Sequence, residues 1–239
     1  SGKSRVSELE VKVDADFVLK EVKHSEAAKA RKVQNETLLA EYEVPTNRNL
    51  PPIVDAQNAH LRSKTAVADR ALALCLVALQ GEGLDQAILN QVQAQFEISG
   101  HLSPKEQAFL QNPDQLERAT FAWRYEALNV MMWALGYVEV LAYPDRICDV
   151  QQIVGIIRNA NSREGFQAGA KLRTIDELLD QADLAFRLHW ACVDAGLREV
   201  QPSADLNCGV VYQRLYALNW LHGDQGSDWD DVHTGTYAK

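Results

Sequence analysis

Three stretches of the chain carry a chemical signature for starting a helix. In "SPKEQAFL", Ser103 stands as N-cap, Pro104 takes the first helical position and Glu106 follows three residues after the serine. The serine hydroxyl can accept from the third helical N–H while the glutamate reaches back to the serine N–H. Proline costs nothing at that first position, where its missing N–H would go unused. Thr174 and Glu177 repeat the box at the head of "TIDELLDQADLAFRLHWACVDAGL", and there Ile175, Leu178, Leu179, Ala182, Phe186, His189, Val193 and Leu197 keep helical spacing. Asn112, Pro113 and Gln115 read as a third start, for a helix running to about Val140. Weaker helical patterns cover about 25–42, 57–80, 84–97, 149–159 and 208–222. Eight helices joined by Pro- or Gly-marked turns predict an all-α, single-domain, multi-helix bundle.

The most apolar segment, "AVADRALALCLVAL" (66–79), is too short to span a bilayer and holds Asp69 and Arg70, so it reads as a core helix. "EYEVPTNRNLPPIVD" (41–55) reads as the one real linker. The expected division is a charged N-terminal arm over 1–23 and an all-α domain over 24–239. In the arm, "VKVDADFVL" alternates like a strand, yet Val6, Leu9, Val13 and Phe17 also share a helix face, so an extended arm stays open as an alternative. Such a terminus is ordered only if it docks on the body or on a second copy.

Charge narrows the partners. With 24 Lys+Arg against 33 Asp+Glu the formal charge is −9, and no basic run offers the patch that nucleic acid requires. The reading excludes nucleic acid and membrane as partners. The start of the chain has no basic-then-apolar leader, and Cys75, Cys148, Cys192 and Cys208 form no C-x-x-C pair. A cytoplasmic protein with free thiols is the expectation.

Two constellations could carry chemistry. The first is the tail "GDQGSDWDDVHTGTYAK", in which Asp230, Asp231 and His233 could ligate a metal. Its spacing matches no EF-hand, and the chain has no H-E-x-x-H. The competing reading buries Trp229 as a plug and leaves the aspartates wet or capping. The second constellation is a set of charges embedded in apolar helices: Arg70, Arg124, Glu126, Asp183, Arg187, His189 and Arg214. Buried charges need partners. Asp183 and Arg187, four apart with the acid first, read as a structural ion pair. Arg124, Glu126 and Arg214, joined by Asp230 and Asp231, are candidate ligand-binding residues, since arginine forks grip carboxylate or phosphate. The same aspartates could instead pin the tail onto those arginines. His189 and Cys192, one turn apart, read as core rather than metal ligands. The opening "SGKS" lacks the strand and earlier glycine of a phosphate loop, and no nucleophile motif or Gly-rich cofactor loop exists. No cofactor is expected. "RYEALN" (124–129) and "RLYALN" (214–219) echo each other without a regular repeat.

Several stretches in order, "RSKTAVADRALAL", "LSPKEQAFL", "FAWRYEALNVMMWALG", "LRTIDELLDQADLAFRLHWA", "GVVYQRLYALNWL" and "WDDVHTGT", resemble a bacterial family labelled domain of unknown function 4272. The resemblance runs from about residue 30 to the end. It implies a small cytoplasmic protein and supplies no activity, cofactor or catalytic residue. In that pattern an acidic residue precedes the arginine of "QRLYALNW" and the closing motif ends in Asp-Thr. Gln213 and Gly235-Thr236 stand there instead, which implies a structural tail or a degenerate copy of the family pattern. The expected function is therefore a non-catalytic all-α protein that binds another macromolecule, with a homo-oligomer among the options. The alternative is a metal-dependent hydrolase or anion-binding enzyme whose site joins the acidic tail to the core arginines.

Overall fold

The computed structural model describes residues 23–223 and 226–236, so the reading of an N-terminal arm falls outside the described residues apart from Lys23. The described chain is all α, with no strand among the described residues. Its helices are α1 (Glu26–Glu41), α2 (Lys64–Glu82), α3 (Gln86–Gln95), α4 (Pro104–Gln111), α5 (Gln115–Ala122), α6 (Arg124–Ala134), α7 (Val150–Ala160), α8 (Arg163–Ala168), α9 (Ile175–Leu197) and α10 (Cys208–Leu221). None of them is long and apolar enough to cross a membrane.

Three helices form the centre. α2 is buried without interruption from Val67 to Gln80, and α6 from Tyr125 to Ala134, each mostly apolar on all sides with a few polar residues. α10 is buried over nearly as much of its length. α2 packs against α5 and α6, and α10 against α6 and α9, with α1 outside α9. Gly81 lets α2 and α5 close up: a Cβ there would stand 2.6 Å from the Ala122 backbone nitrogen.

Both capping boxes form at Ser103–Glu106 and Thr174–Glu177. The start read at Asn112 does not. Asn112 closes α4, and the Asp114 carboxylate caps the next helix by accepting from the Leu116 N–H at 3.0 Å. The long helix read to Val140 breaks at Trp123 and ends at Ala134, where Gly136 takes a positive φ of 78°. Arg173 explains that end. Its guanidinium donates to the carbonyls of Trp133, Val138 and Glu139 and lies 4.7 Å over the Trp133 ring. The segment read as helical from 57 starts instead at Lys64. Before that, the N–H groups of His60 and Arg62 are committed to the His222 and Leu221 carbonyls at the end of α10. α8, capped by Ser162, is too short to show periodicity.

The stretch over 41–55 is packed rather than loose. Leu50 is buried and its carbonyl, with that of Pro51, accepts from Arg187, while the Asp55 carboxylate accepts from the Ser25 N–H and hydroxyl. The expectation of four free thiols is overturned by a Cys192–Cys208 disulfide, with Cα atoms 5.7 Å apart. Sixteen residues separate the two cysteines, so only the turn from α9 into α10 brings them together. Cys75 and Cys148 are free.

Candidate functional site

The tail folds back on the bundle. Trp229 is buried, edge-on to Tyr216 and Trp220, with the Arg70 guanidinium 5.1 Å from its ring centroid. Main-chain groups do most of the holding. The Tyr216 hydroxyl donates to the Trp229 carbonyl, Asn219 Nδ2 to the His233 carbonyl at 2.8 Å, and Arg62 to the Ser227 carbonyl. Asp230 Oδ2 accepts from the Lys105 N–H at 3.0 Å, satisfying one of the orphan donors of the first turn of α4. No ion pair joins Asp230 or Asp231 to Arg124 or Arg214 among the described residues. The arginine that pins the tail is Arg62. Asp231 and His233 are exposed. No three His, Cys, Asp or Glu side chains among the described residues could together hold a metal ion, so Asp230, Asp231 and His233 make no such centre.

Fold-back of the tail creates a cleft of about 480 Å³ between α4, α5, α10 and residues 229–232. Arg124 reaches into it from the start of α6. Its guanidinium lies 5.1 Å from the Tyr216 ring centroid and 5.6 Å from that of Trp229, and its Nη1 donates to Gln213 Oε1 at 3.1 Å. Gln213 is neutral, so its hydrogen bond orients this arginine without pairing it to a carboxylate. Lys105, Glu117, Thr120 and the half-exposed Tyr212 complete the rim. Beneath it, Arg70 pairs with Glu106, which also closes the α4 capping box.

The residues grouped from the sequence separate here into three places. Arg124 and Asp230 line the cleft. Glu126 and Arg214 lie elsewhere, around Cys148. Glu126 Oε1 accepts from the Cys148 N–H at 2.7 Å, and burial raises the carboxyl pKa against the opposing pull of Cys148 and Arg214. Arg214 is buried with Nε unpartnered, and burial lowers its pKa. Asp183 and Arg187 lie in neither place. They form a bidentate pair at 2.9 Å between α9 and α1, where Asp183 also accepts from Asn35. Cys192 is committed to its disulfide, and the His189 ring lies tilted to that of Tyr212 with centroids 6.0 Å apart. Sequence reading missed Lys105, Thr120, Tyr212 and Tyr216. The two tyrosines stand four apart inside "GVVYQRLYALNWL", so a shared helix face was the available signal.

The sequence profile of a family described as a domain of unknown function (DUF4272) matches residues 31–232. No curated protein and no solved structure matches the chain.

Proposed function

The chain belongs to the DUF4272 family, a domain of unknown function, and on that footing we propose that it is a non-catalytic protein that binds another macromolecule through the Arg124 cleft. The observation that carries this reading is Arg124 itself. Its guanidinium is oriented by Gln213 and two aromatic rings and has no carboxylate partner among the described residues. A fork held in that way is preorganised for a carboxylate. Arginine, tyrosine and tryptophan are also the residues that dominate interface hot spots, and Arg124, Tyr212, Tyr216 and Trp229 meet in this cleft. The favoured occupant is an acidic side chain of a partner, flanked by an apolar group that packs on Tyr212.

Panning a random peptide library against the folded chain is expected to enrich sequences with Asp or Glu beside an apolar residue. Arg124→Ala should weaken the selected peptides about tenfold or more, a loss of roughly 1.4 kcal/mol, with folding of the variant checked by circular dichroism. Peptides that bind the variant as tightly as the parent would sink the reading. A second copy of the chain is among the macromolecules admitted, and a solution mass of one chain at high concentration removes it.

The enclosed shape of the cleft favours one further reading, an anion-binding enzyme that takes a small carboxylate at Arg124. Small aromatic carboxylates that raise the melting temperature while peptides do not would move the proposal there. A cytoplasmic setting belongs to the same proposal. The free Cys75 and Cys148 support it, and the Cys192–Cys208 disulfide weighs against it.

A further inference from the structure

A second pocket, of about 280 Å³, opens between α5, the start of α6 and the first residue of α7. Its walls are Ala119, Ala122, Trp123, Tyr125, Ile147 and Val150, and the one charged group that lines it is Glu126. Glu126 is only 3% exposed. One carboxyl oxygen is spoken for, accepting from the Cys148 N–H at 2.7 Å, while the Cys148 thiol donates to the Tyr125 carbonyl at 3.6 Å. The other oxygen receives no hydrogen bond from any described residue. Glu126 is one of the residues that line the pocket.

Arg214 does not fill that place. It forms no ion pair within 4 Å among the described residues, yet its positive charge favours the ionised form of Glu126 against the effect of burial. The pocket therefore has apolar walls around a carboxylate oxygen that lacks a donor. Burial raises the Glu126 pKa, and a carboxyl in apolar surroundings is held ionised by a charged partner. A metal ion would need further ligands, and no three suitable groups converge among the described residues. An organic cation needs one carboxylate and an aromatic face. Trp123 supplies the face, and its ring packs against Gly209, where a Cβ would sit 2.6 Å from the indole Cη2. The small volume limits the body attached to the cation.

We infer that the Glu126 pocket is a binding site for a primary ammonium group carried on a compact apolar stem. The ammonium donates to the free oxygen of Glu126, and the stem packs on Val150, Ile147 and the Trp123 ring. Such a group occurs on a free alkylamine and on a lysine side chain, which share this chemistry.

Isothermal titration of the full chain with n-butylammonium chloride, with Nα-acetyl-lysine methylamide and with butan-1-ol tests the inference. Saturable binding of at least one ammonium probe, with none for the alcohol, is expected, and the better ammonium probe identifies the source. Glu126→Gln should weaken it about tenfold or more. Because that variant also alters the Cys148 contact, Val150→Trp is the second arm, filling the pocket while leaving Glu126 in place. It too should abolish binding, with folding checked by circular dichroism. Arg124→Ala should change nothing, which separates this site from the cleft. No saturation by either ammonium, equal binding of the alcohol, or full binding retained by a folded Glu126→Gln or Val150→Trp variant would overturn the inference.

Discussion

His222, the residue that closes α10, shows what the interior does to a single titratable group. Its Nε2 meets Asn219 Oδ1 at 3.3 Å, its Nδ1 is buried without a partner, and burial pushes its pKa down to about 4. In the unfolded chain the imidazole titrates near 6.5. Between those two values the unfolded state binds more protons than the native state, so stability rises with pH through this window and is lost as pH falls toward 4. The size is on the order of 2–3 kcal/mol. Urea unfolding at pH 7, 5.5 and 4 should show that loss in the parent and a flatter profile in His222→Gln. Equal slopes in the two proteins would mean that other groups drive the acid response. Ion pairing followed helix spacing only where both partners shared a helix. Asp183 and Arg187 could be paired from sequence because an i,i+4 separation fixes their distance. The partners of Arg70 and Arg31 could not, because Glu106 and Asp180 come from other helices.

Two helix starts followed local chemistry, while the start of α2 and the end of α6 were set by tertiary contacts. The Ser103 and Thr174 boxes are satisfied by atoms three residues away, so they are readable in the chain. The end of α6 depends on Arg173, almost forty residues on, and the start of α2 depends on the end of α10. Two element contacts lend themselves to test. The Cys192–Cys208 bridge ties the last turns of α9 to the first residue of α10, and closing a loop of that length contributes about 3 kcal/mol. Reduction, or Cys192→Ala with Cys208→Ala, should lower the melting temperature by roughly 6–12 °C. An unchanged melt would mean that the bridge adds nothing to stability. In the tail, Trp229→Ala should cost about 3–5 kcal/mol, because a whole indole leaves the core. Asp230→Ala, which removes only a helix-end acceptor, should cost about 1 kcal/mol. If the aspartate proved the costlier of the two, the tail would be held by charge and not by its tryptophan.

For the molecule as a whole, α2, α6 and α10 share one core, and α1 is tied to α9 by buried polar contacts through Asn35 and Asp183. Unfolding should therefore be a single transition, with far-ultraviolet circular dichroism and tryptophan fluorescence superimposing across a urea titration. An early loss of helix signal that leaves fluorescence intact would mean that α1 and α9 separate first. The all-α class, the positions of most helices, the wholly buried α2 and the plug role of Trp229 could be read from the chain, because each follows from spacing or apolar content within one segment. The grouping of Arg124, Glu126, Arg214, Asp230 and Asp231 could not. Arg124 and Glu126 stand two apart on α6 and so face different directions, one into the cleft and one toward Cys148. Sequence by itself determined where helices form and which faces must be buried, since caps and periodicity act over three or four residues. Tertiary structure alone decided which charges meet, which cysteines pair and where cavities open, since those depend on helix packing between residues far apart in the chain.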